Sequence, residues 1–73
     1  MLIGYEKQIV IRTLSRLSKL GKIHPGDKLR AANWILNDCD KSQLLKIEKL
    51  AQRYNRRPSP EALKFFLESV LNR

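Results

Sequence analysis

The sequence predicts an all-α protein, a compact bundle of three to four short helices. Apolar residues recur at helical spacing in four segments, and no segment alternates with period two for more than a few residues. Between the segments stand residues that cap or break helices: His24-Pro25-Gly26-Asp27, Asp38-Cys39-Asp40 and Asn55-Arg56-Arg57-Pro58-Ser59-Pro60. With no internal repeat and no low-complexity run, residues 1–73 read as one helical domain. Residues 1–4 are free to form a flexible tail, because Gly4 weakens a helix there.

The first helix is expected from about Tyr5 to Leu20, closed by Gly21 as a left-handed cap. At about 100° per residue, Ile3, Val10, Leu14 and Leu17 share one arc, flanked by Ile9, Ile11 and Leu20. The second is expected from Lys28 to Asp38 with Asp27 as N-cap and Leu29, Ala32, Ile35, Leu36 and Cys39 inward. The third follows Asp40, another good N-cap, and runs to about Asn55 with Leu44, Ile47, Leu50, Ala51 and Tyr54 inward. The fourth is capped by Ser59, has Pro60 at the first helical position and Glu61 at the positive helix end, and turns Leu63, Phe66, Leu67 and Val70 inward. Tyr5, Tyr54 and Phe66 fall on apolar arcs and read as core, which leaves few platforms for stacking single-stranded bases.

Charge narrows the function. Fifteen Lys or Arg oppose seven Asp or Glu over 73 residues, a net charge of +8. The apolar fraction of 42% is that of a folding chain and not of a charged tail. A core of this size supplies only about 3–5 kcal/mol and leaves no room for a cleft between domains. The single Cys39 and single His24 exclude disulfide scaffolds and zinc ribbons. GxxxxGK[ST], GxGxxG and HExxH are all missing, so the expectation is no enzyme, no cofactor, no metal and no small-molecule substrate. His24 reads as a loop residue, Cys39 as a small buried hydrophobe, and Asp40 as a helix cap. No membrane span or export signal is legible, and a lone thiol suits a reducing compartment, so the expected location is the cytoplasm.

The cations are grouped. Six basic residues and one acid lie between Arg12 and Arg30, and again between Lys41 and Arg57. Arg12, Arg16 and Lys19 form a stripe on the first helix; Lys46, Lys49 and Arg53 form one on the third, which Arg56 and Arg57 extend into the loop. Solvated basic faces are common, but they usually carry interspersed acids, and here only Asp27 and Glu48 intrude. The expected partner is a nucleic acid, DNA or RNA, or a protein that holds one. Groove reading by the fourth helix is disfavoured by Glu61; the third is better placed, with Lys41, Ser42, Gln43 and Lys46 available to phosphates or base edges, but Asp38 and Asp40 would then approach and repel the backbone. Trp34 and Phe65 fall off the inward arcs, so each either packs against a neighbouring helix or anchors a protein. Glu61 and Glu68 leave the fourth helix near neutral, which suits a monomeric adaptor with one anion-facing side and one protein-facing side.

In size, charge and helical organisation, with its LIGYEKQ start and the basic stripes IRTLSRLSK and RYNRRP, the chain resembles small phage-encoded transcription regulators that bind host RNA polymerase. The resemblance implies a protein that docks near the nucleic-acid channel and alters promoter-specificity factor engagement or termination. It carries over no individual residue. The residues also admit a stand-alone DNA- or RNA-binding protein and an inhibitor of a ribosome or defence complex.

Overall fold

A computed structural model describes residues 4–72. Four helices make up most of them: α1 (Tyr5–Lys19), α2 (Pro25–Asn37), α3 (Lys41–Arg56) and α4 (Pro60–Leu71). Ile3 and most of the expected tail lie outside the described residues. No described helix is long and apolar enough to cross a membrane.

The helix ends follow local chemistry. Gly21, at φ 74°, closes α1: its N–H donates to the Ser18 carbonyl at 3.1 Å, and the Lys22 N–H donates to that of Leu17 at 2.9 Å. Those two bonds are a Schellman cap, and glycine enters the left-handed region without the penalty a Cβ brings. Asp40 Oδ1 accepts from the Gln43 N–H at 2.8 Å, and Ser59 Oγ accepts from the Ala62 N–H at 3.0 Å. Each satisfies an N–H that has no partner within its helix.

The second helix corrects the expectation. It begins at Pro25 and not at Lys28, with His24 as N-cap, its Nδ1 accepting from the Gly26 N–H at 3.1 Å. Pro25 takes the first helical position, where its missing N–H costs nothing, and a Cβ on Gly26 would sit 3.3 Å from the imidazole. Asp27, expected as the cap, lies in the first turn and pairs with Arg30 at 2.6 Å. The buried face is rotated as well. Ala31 and Ile35 are fully buried and Trp34 packs against the core, whereas Leu29 is 61% and Leu36 39% exposed. The inward side has turned from the Leu29 and Leu36 direction toward Ala31 and Trp34.

One core holds the helices together: Val10, Leu14 and Leu17 of α1, Ile23 from the connection, Ala31 and Ile35 of α2, Leu44, Ile47, Ala51 and Tyr54 of α3, and Ala62, Phe66 and Val70 of α4. Leu50, Leu63 and Leu67, expected inward, pack against its edge, as does Cys39, which is half-buried with its thiol donating to the Asp40 carbonyl. Tyr5 and Leu20, expected on or beside the apolar arc, are instead 69% and 59% exposed, since each lies at an end of α1 beyond the reach of the other helices. The helices are arranged in a ring in which α1 adjoins α3 and α2, and α4 adjoins α3 and, lightly, α2. The radius of gyration is 11.1 Å, matching the value of about 11 Å for a fully compact chain of this length.

Candidate nucleic-acid interface

The C-terminal half of α3 and the turn into α4 enclose an open groove of about 920 Å³, lined by Lys49, Gln52, Arg53, Arg56, Arg57 and the Pro58-Ser59 turn, with Ala62 beneath. Helical spacing explains the convergence. Lys49, Arg53 and Arg56 follow one another at intervals of four and three and so share a face, and Arg57 falls four residues beyond Arg53 where the helix stops. No carboxylate lines the groove. Among the described residues the one ion pair is Asp27 with Arg30, away from it, so no carboxylate pairs with any of these four cations.

The bland account of these cations is the helix dipole. Arg53 and Arg56 occupy the last turn of α3, where positive charge opposes the unpaired carbonyls and contributes about 0.3–1 kcal/mol. That accounts for one or two cations. It leaves Lys49 unexplained, and each like-charge neighbour three or four residues away costs about 0.2–0.5 kcal/mol.

The eight predicted contact residues divide into three groups. Lys49, Arg53, Arg56 and Arg57 share the groove; Lys46 lines an adjoining depression with Trp34; Arg12, Arg16 and Lys19 are exposed on α1. The α1 stripe is tied to α3 by a hydrogen bond that Arg16 Nη1 donates to Asn55 Oδ1 at 3.2 Å. Asn55 Nδ2 in turn donates to Thr13 Oγ1 at 3.0 Å, and that hydroxyl donates to the Ile9 carbonyl at 2.9 Å. Of the two candidate protein anchors, Trp34 is half-buried against the core and Phe65 on α4 is 44% exposed.

Gln52, Asn55 and the Pro58-Ser59 turn were not expected from the sequence to stand at or beside the contact surface. A signal for Asn55 and Thr13 existed: each is a polar residue within or beside its helix's apolar arc, the mark of a hydrogen bond between helices. The turn gave none, because its place in the groove depends on how α4 folds back on α3. Among the described residues no three His, Cys, Asp or Glu side chains converge to hold a metal ion.

Fold and surface together describe a small basic helical bundle with a cation-lined groove between α3 and α4. No family model, curated protein or solved structure matches the chain.

Proposed function

We propose that the protein is a non-enzymatic regulator that sits beside nucleic acid on the transcription machinery and touches phosphates through the groove between α3 and α4. The observation that carries this is the convergence of Lys49, Arg53, Arg56 and Arg57 on one concave surface that no carboxylate lines. In the free protein those charges repel, and a phosphate backbone turns that repulsion into attraction by releasing its condensed counterions. Arginine suits the role, since its planar fork donates two hydrogen bonds to one phosphate. Arg12, Arg16 and Lys19 add a second run of positive potential along α1. RNA polymerase as the protein partner is taken from the resemblance in size, charge and organisation, with Phe65 offered as an apolar contact on the near-neutral α4.

A tagged copy captured from lysate after exhaustive nuclease treatment tests this: polymerase subunits are retained. Their loss on nuclease treatment rejects the regulator in favour of a stand-alone DNA- or RNA-binding protein, for which the groove needs no protein partner.

A further inference from the structure

A second concavity lies between α3, Trp34 of α2 and Ser69 of α4. It is a mostly apolar depression of about 540 Å³, with Trp34, Ile47 and Leu50 as its apolar lining, Ser69 on the α4 side, and Lys46 and Lys49 contributing the charge. That volume exceeds a packing void and lies within the range of about 300–1,000 Å³ typical of ligand pockets. Trp34 is half-buried and braced by the core, so an occupant would meet a rigid aromatic wall and order little side-chain freedom on binding. No carboxylate lines the depression.

These features select an occupant. A purely anionic chain would meet the lysines but leave the aliphatic surface of Ile47 and Leu50 unused, and a lone indole is a poor track for successive bases. A purely apolar segment would cover the lining without answering either ammonium group. A segment carrying both apolar anchors and carboxylates satisfies all of it, as amphipathic helices do in hydrophobic grooves. We infer that this depression binds an acidic amphipathic peptide segment of a partner protein, its bulky apolar side chains seated on Trp34, Ile47 and Leu50 and its carboxylates meeting Lys46 and Lys49. The site adjoins the phosphate-binding groove at Lys49 alone and does not depend on it.

Trp34 is the chain's only tryptophan, so its fluorescence reports occupancy directly. The probe is a synthetic peptide free of tryptophan, with Leu and Phe anchors at positions i, i+3 and i+7 and glutamate at most others, titrated at near-physiological salt. Saturable blue-shifted emission is expected, lost when the anchors are replaced by Ser. Lys46→Glu, an exposed position that leaves the fold intact by circular dichroism, weakens binding by at least about fivefold, and Lys46→Gln by less. Arg53→Ala with Arg56→Ala leaves peptide affinity within about twofold while weakening oligonucleotide binding, so failure of one site is distinguishable from failure of the other. No emission change, an equal response to the Ser-substituted peptide, or a response to oligothymidylate in place of the peptide overturns the inference.

Discussion

The Asn55 amide accepts from Arg16 and donates to Thr13, so one surface side chain both satisfies a buried hydroxyl and fixes a guanidinium. Thr13 is 1% exposed, and its own donor is already spent on the Ile9 carbonyl. Removing the amide therefore strands one acceptor and no donor, and Asn55→Ala should cost about 1 kcal/mol in urea denaturation. Gly21 is sensitive for another reason. Nothing lies within 4 Å of where a Cβ would be, so Gly21→Ala meets no clash; the positive φ alone makes it cost about 1–2 kcal/mol. The Schellman glycine was readable in the sequence because its chemistry is local. The capping role of His24 was not, because an imidazole acceptor competes poorly on paper with Asp27, three residues on.

At the scale of the helices, α3 and α4 begin where their capping residues foretell, but the buried face of α4 turns toward Ala62 and leaves Leu63 and Leu67 at the edge, and α2 is rotated further. Its sequence holds apolar residues around more than one face, and tertiary packing, not local spacing, sends Ala31 and not Leu29 inward. The α3 cap carries a pH signature. The Gln43 N–H, then the Ser42 hydroxyl, hold the Asp40 carboxyl below its ordinary range. A lowered folded-state value means the contribution is complete above the ordinary carboxyl range and is lost as pH falls through the lowered one. Asp40→Asn keeps a cap that does not titrate, so its stability should fall less steeply on acidification, measured by denaturation across the acid range. The cations of α3 predict the opposite of a usual surface truncation. Arg53→Ala removes repulsion with Lys49, Arg56 and Arg57, and should raise the melting temperature at low salt, a gain that shrinks as salt is added.

For the molecule as a whole, stability and function pull apart. A bundle of this size holds only about 3–5 kcal/mol, while truncating a buried phenylalanine costs about 3–5 kcal/mol. Phe66→Ala, at a fully buried position, should therefore leave the chain largely unfolded at 25 °C by circular dichroism. Against so thin a margin, concentrating like charge on one groove is a cost that the helix dipole offsets only in part, at Arg53 and Arg56. The sequence showed that cations were grouped, because stripes follow from helical spacing. It did not show that the α3 stripe folds against the start of α4 while Arg16 of the α1 stripe is tied to Asn55 of α3, since both depend on the order of helices around the core.

The most direct measurement is the salt dependence of nucleic-acid affinity for the folded protein and for the Arg53→Ala, Arg56→Ala double variant, on duplex DNA and on RNA. If the groove holds phosphates, log K against log salt falls steeply for the native chain and its slope is shallower by about two units in the variant. Identical slopes for the two proteins, or no binding by the native chain at physiological salt, would contradict the account.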